Sequence, residues 1–199
     1  GKTTAKEMIA AVLSSRYKVL KTEKNLNNEL GVPLTIFRID PEHEAAVVEM
    51  GISDFGEMRR LAKIVRPTMA VYTLIGNAHL ERLYDRNGVL KAKTEMAEFI
   101  PEDGTLFLNA DDDLLASYEC RQKRVSFGLD PDADVRAENL SCDGLHGTSC
   151  DIVSGERRIR AYIPAYGKHM VYAALEGAAV GLKLGLTDEE IAAGIANYE

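Results

Sequence analysis

Three short, almost unbroken apolar runs do most to limit what this 199-residue chain can fold into. AAVVEMG (45–51), MAVYTLIG (69–76) and TLFLNADD (105–112) are each the length of one strand, and too apolar to face water on one side. Strands buried on both faces belong to parallel sheets, whose connections are helices. Helical patterns lie between the runs, so the sequence predicts an α/β fold: a mostly parallel sheet flanked by helices, with right-handed crossovers.

From about Lys123 to Pro164 the texture changes. KRVSFGL, GTSCDIVSG and RRIRAYIP alternate and are separated by Asp, Gly and Asn, which predicts strands and hairpins appended to the main sheet as a small antiparallel region. After Gly167 the helical pattern returns: VYAALEGAAVGLKLGL is small and apolar, and TDEEIAAGIANY opens on a Thr cap and an acidic first turn.

A formal net charge of -7 argues against nucleic-acid or membrane-surface partners, which need a basic face. No apolar run approaches the roughly 20 residues of a membrane span. The cysteines Cys120, Cys142 and Cys150 are odd in number and lack C-x-x-C spacing, so neither a disulfide framework nor a zinc knuckle is indicated, and a reducing cytoplasm fits.

The chain opens on GKTTAKEMIAAVL, the second half of the phosphate-loop pattern G-x-x-x-x-G-K-[ST]. Ile9, Ala10 and Leu13 recur at helical spacing behind it, the context such a loop requires. Two readings stay open here. Gly1, Lys2, Thr3 and Thr4 form either an ordinary helix start, or a phosphate site in which Lys2 neutralises phosphate charge and Thr3 offers its hydroxyl to Mg²⁺.

Five other places could carry chemistry. Glu49 ends an apolar run at the carboxyl edge of a strand, where open α/β sheets hold their ligands, and is either suited to a metal or a solvated strand end. His79 in IGNAHLE follows the next run and falls at the same edge. In NGVLKAKTEMAEFI, Val89, Lys93, Met96, Ala97 and Ile100 share one helical stripe, so Lys93 points inward while Lys91 points out. That lysine either snorkels to water or has its charge used or altered beside anions. Asn109 ends the third run and offers an amide to a nucleobase, whereas Asp111, Asp112 and Asp113 read mostly as turn formers. Asn25, Asn27 and Asn28 in NLNNELGVP are donors for a sugar, phosphate or carboxylate, or a tight turn before Pro33.

The ordered set GKTT, NLNNELGVP, VVEMG, GEM, IGNAHLE, LKAKTEM, LNADD and GKHMVY resembles the central domain of the Mur ligase family over essentially the whole chain. The resemblance implies a P-loop NTPase-like ATPase domain spanning 1–199, cut within its phosphate loop, without the UDP-sugar and carboxy-terminal domains, and inactive by itself. It implies ATP, two Mg²⁺ ions and a carbamylated Lys93. The implied reactants are UDP-N-acetylmuramoyl-tripeptide and D-alanyl-D-alanine, joined in a cytoplasmic, monomeric enzyme through an acyl phosphate. Lys2 would hold phosphates; Thr3 and Glu49 would bind one ion, His79 and Lys93 the other. Asn109 would meet adenine, His169 would lie near the nucleotide, and Asn27 and Asn28 would face the UDP-peptide. Leu74 and Ala173 stand where the family commonly has asparagine, and Met170 where many relatives do. These departures leave room for a non-catalytic nucleotide-binding paralogue, or for another Mur-type ligase such as a cyanophycin synthetase relative.

Overall fold

The computed structural model describes residues 1–77, 80–144 and 146–198. His79 therefore lies outside the described residues. Eight helical segments and eight strands are present among those described: α1 (Lys2–Leu13), β1 (Val19–Lys21), α2 (Gly31–Ile36), β2 (Ala45–Val47), α3 (Glu57–Val65), β3 (Met69–Tyr72), α4 (Leu80–Leu83), α5 (Arg86–Thr94), β4 (Thr105–Asn109), α6 (Asp113–Ala116), β5 (Lys123–Gly128), β6 (Val135–Asp143), β7 (Gly147–Ser154), β8 (Arg157–Ile163), α7 (Lys168–Lys183) and α8 (Asp188–Ala196). A 3₁₀ segment, Glu95–Phe99, continues α5.

The mostly parallel sheet expected from the apolar runs is present. Its strand order is β3-β4-β5-β6-β7-β8, parallel from β3 to β6 and antiparallel from β6 to β8. Two details differ from the sequence reading. The run at 45–51 pairs in parallel with β1, a three-residue strand, in a separate two-stranded sheet. KRVSFG is not part of the appended region: β5 pairs in parallel with β4, Thr105 opposite Lys123, and the antiparallel part starts at β6. Alternation on β5 reflects a strand whose start is exposed and whose end is buried.

Side chains alternate across a strand, so β4 feeds two cores. Phe107 packs with α1, α7 and α8 on one face, while Leu106 and Leu108 pack with α3 and α5 on the other. Small residues let the helices of the first face approach closely. A Cβ on Gly177 would lie 2.9 Å from Val12 Cγ2, and one on Gly194 would lie 2.4 Å from Val12 Cα. α8 starts with a capping box in which Thr187 and Glu190 bond each other's backbone N–H, matching the Thr cap read from the sequence. No helix among the described residues is long and apolar enough to cross a membrane.

Candidate functional site

Glu49 follows directly on the exit of β2 and is 6% exposed. Its position is built by three residues. Its N–H donates to Thr22 Oγ1 at 2.9 Å, and its Oε1 accepts from Asn27 Nδ2 at 2.8 Å. Thr22 in turn prolongs the β1–β2 ladder, its N–H donating to Val47 O at 3.0 Å, and its own carbonyl accepts from the buried Lys6 Nζ at 2.7 Å. The other carboxylate oxygen, Oε2, is buried and has no hydrogen-bond partner among the described residues. A buried carboxylate oxygen left without a donor is costly unless a cation or a donor from a ligand meets it.

Lys6 and Thr22 were not legible as site builders. On α1, Lys6 also pairs with Glu7 at 2.7 Å, and Glu7 pairs with Lys21. Burial works against the Glu7 charge, but Lys21 and Lys6 together hold its carboxyl below the ordinary glutamate value.

At the exit of β3, three consecutive residues are gripped by side chains from elsewhere. Asn109 Nδ2 donates to Thr73 O at 2.8 Å and Lys93 Nζ donates to Leu74 O at 2.7 Å. Ile75 N–H donates to Asp112 Oδ2 at 2.8 Å, and Arg86 Nε donates to Ile75 O at 2.9 Å. Lys93 does turn inward, as its stripe implied, with Val89, Met96, Ala97 and Ile100 buried around the same face. Burial, and then the charge of Lys2, push its ammonium below the ordinary lysine value, with Asp112 acting in the opposite sense. Lys2 at the start of α1 and Lys93 on α5 thus share one electrostatic neighbourhood.

The other sequence-chosen residues divide. Lys2 and Thr3 are exposed in the first turn of α1, with Thr4 half-buried, and Gly1 has open space around it. His169 is exposed in the first turn of α7, its ring 2.9 Å from where a Cβ on Gly167 would sit; Gly167 has φ 104°, so glycine is required there twice over. Asn109 is buried with both ends of its amide engaged, its Oδ1 accepting from Asp111 N–H at 2.9 Å. One N–H and one oxygen lone pair of the amide remain beyond these two bonds. Asn27 faces Glu49, and Asn28 Oδ1 accepts from the N–H groups of Leu30 and Gly31 at 3.1 and 2.8 Å, shaping the start of α2.

The aspartates after β4 are structural, as their turn-forming chemistry suggested. Asp112 caps α6 through Leu114 and Leu115 N–H, and Asp113 pairs with Arg86. Asp111 accepts from Leu129 N–H, Asp130 N–H and Tyr172 Oη, at 2.6, 3.0 and 2.7 Å, tying β4, β5 and α7 together. Burial first, and then Asp111, raise the Tyr172 phenol above its ordinary value.

Glu49, Lys93 and Asn109 all stand at or beyond the carboxyl ends of parallel strands, with the N-termini of α1 and α7 beside them, which is where open α/β sheets hold anionic ligands. A cleft of about 340 Å³ lies elsewhere, near the amino ends of β4 and β5, lined by Arg59, Lys91, Glu95, Glu98, Tyr118 and Arg121 among others. Its opposite charges balance, so it lacks the net positive field an anionic ligand needs. Among the described residues no group of three or more His, Cys, Asp or Glu could hold a metal.

Residues 1–181 match the family model described as Mur ligase middle domain. The chain is 38% identical over 200 residues to the UDP-N-acetylmuramoyl-tripeptide–D-alanyl-D-alanine ligase of Bacillus subtilis, covering 100% of this chain and 43% of that protein. Among solved structures it is similar to MurF from Acinetobacter baumannii, with a TM-score of 0.93 and 32% identity, covering 100% of this chain and 44% of that one. A second is MurF ligase from Thermotoga maritima in complex with ADP, with a TM-score of 0.85 and 27% identity, covering 96% of this chain and 45% of that one. The chain thus spans less than half the length of these relatives. A family match over 181 of 199 residues shows that the chain belongs to the Mur ligase middle-domain family.

Proposed function

We propose that this domain handles the nucleotide in an ATP-dependent ligase that joins D-alanyl-D-alanine to UDP-N-acetylmuramoyl-tripeptide. The observation that carries the reading is the buried, unpartnered Oε2 of Glu49 at the sheet edge, together with the inward Lys93 in the field of Lys2. The names of the relatives supply the reaction class, and the ADP bound to the Thermotoga maritima neighbour supplies the ligand class.

In this reaction the terminal carboxylate of the tripeptide attacks the γ-phosphorus of ATP. The bond to the bridging oxygen breaks, leaving ADP and an acyl phosphate. The dipeptide amine then attacks the acyl carbon, phosphate leaves, and the amine loses a proton. Such transfers need charge neutralised and groups aligned more than they need a side-chain nucleophile. Lys2 and the N-terminus of α1 attract the phosphates, and Asn27 and Thr22 hold Glu49 so that one oxygen stays open. Thr3 with Glu49, and His79 with Lys93, would hold Mg²⁺ ions, which would supply Lewis-acid neutralisation of the phosphate oxygens. Burial favours the neutral Lys93 amine, the form that adds carbon dioxide and releases a proton to become an anionic carbamate suited to a cation. On this reading the UDP-sugar and the incoming amine are bound by parts of the protein beyond this domain.

Phosphate release by the full-length protein tests the proposal. It should require ATP, the UDP-tripeptide and D-alanyl-D-alanine together, and Glu49→Gln should slow it by about 100-fold or more with little change in melting temperature. Nucleotide binding without release for this pair of reactants would contradict it. That outcome would favour a non-catalytic module, or a ligase for another pair, to which the exposed apolar Leu74 at the β3 exit already points.

A further inference from the structure

α3 begins on a residue that cannot cap it. Gly56 has φ 78° and no side chain to accept from the first turn. The acceptor comes from another element: both carboxylate oxygens of Glu95 accept from Gly56 N–H at 3.0 Å, and Oε2 accepts from Arg59 N–H at 3.3 Å. A carboxylate in this place meets free N–H groups and the positive end of the helix dipole.

Glu95 follows Lys93 by two residues, and at about 100° per residue the two point to nearly opposite sides. One side reaches the exit of β3, where Lys93 Nζ meets Leu74 O; the other reaches α3. The same two segments also approach each other at Gly88 of α5, where an added Cβ would lie 3.5 Å from the Phe55 ring. α5 is thereby braced between β3 and the end of the loop that starts at Glu49.

We propose that Glu95 is a positioning residue that fixes the helix carrying Lys93 against the loop carrying Glu49, and so sets the spacing of those two groups. The consequence for metal binding rests on the function proposed above. Glu95 itself touches neither nucleotide nor cation. Glutamine retains one acceptor oxygen for Gly56 N–H, and alanine retains none.

The test uses the full-length protein as wild type, Glu95→Ala, Glu95→Gln and Arg59→Met, the last of which removes only the exposed Arg59–Glu98 pair. Amide hydrogen exchange is measured first, without nucleotide or metal. Glu95→Ala should speed exchange about tenfold in 50–59 and 86–94 together, Glu95→Gln should restore most of the protection, and Arg59→Met should change neither. Faster exchange confined to 50–59 would overturn the brace, whatever the protein's reaction proves to be. Mn²⁺ titration in the presence of ADP is the second measurement. Glu95→Ala should weaken Mn²⁺ about tenfold while leaving metal-free ADP affinity unchanged, with recovery in Glu95→Gln. Equal Mn²⁺ affinity in wild type and Glu95→Ala would overturn the spacing role. A wild type that binds no Mn²⁺ would overturn that role too, together with the reading beneath it, leaving the brace to be judged by exchange alone.

Discussion

In the parallel half of the large sheet, β3 to β5, strands of 4 to 6 residues run out into polar side chains that are buried and bonded to backbone, such as Asn109 and Asp112. In the antiparallel half, β6 to β8, strands of 7 to 9 residues carry charges that pair with one another at the surface, Arg158 and Arg160 with Asp151, and Arg136 and Arg158 with Glu138. Both halves are rich in polar contacts, but only the first cannot exchange them for water. The difference teaches where polar residues set geometry: at the exits of parallel strands, each one fixes a loop end that borders the candidate site.

The sharpest way to break this comparison is Asp112→Ala. It leaves Ile75 N–H and the first turn of α6 without their acceptor in a buried place, and should cost about 3 kcal/mol in urea unfolding. A loss within error would mean that the loop after β3 is not held by side chains.

A buried charge in α7 sharpens the comparison further. Glu176 is 3% exposed, and burial pushes its carboxyl up to about 8. Its folded value lies above its unfolded one, so the stability linked to its proton is fully present below about pH 4.5 and is lost as pH rises through about 8. A tenfold difference in proton affinity between the folded and unfolded chain is worth about 1.4 kcal/mol at most, and relaxation around the carboxyl lowers this. A fall on the order of 2 kcal/mol between pH 5 and 8 is therefore expected. Glu176→Gln should remove that slope in urea titrations at several pH values. An unchanged slope would show that the carboxyl stays ionised. The smallest effect is expected in the antiparallel half, where Arg158→Ala should leave the urea midpoint unchanged within error, because exposed pairs trade readily with water. A loss there matching that of Asp112→Ala would erase the distinction between the two halves.

These contrasts also explain what the sequence could reveal. β3 and β4 were legible as parallel strands because burial leaves nearly continuous apolar runs. Glu49 was legible because a charge ending such a run must sit at its edge. Lys93 was legible because helical periodicity placed it among Val89, Met96 and Ile100. The partners of these residues were not. Asn27 and Thr22 meet Glu49 from separate segments while Lys6 holds the Thr22 carbonyl, and no spacing in the chain encodes which group each will find unpaired. β1 is too short to carry a pattern. The letters give the donors and acceptors of the Asn109 amide, but not that the Thr73 carbonyl and the Asp111 N–H meet one of each. Glu176 hid within an otherwise apolar helix.

The central claim is that the open oxygen of Glu49 awaits a cation that accompanies nucleotide phosphates. A crystal structure of the full-length protein with ADP and Mn²⁺, collected at a wavelength where manganese scatters anomalously, tests it directly. The account predicts an anomalous peak about 2.1–2.2 Å from Glu49 Oε2 with ADP phosphate oxygens in the same coordination shell. A peak elsewhere, with ADP bound and Glu49 still held by Asn27 alone, would contradict it.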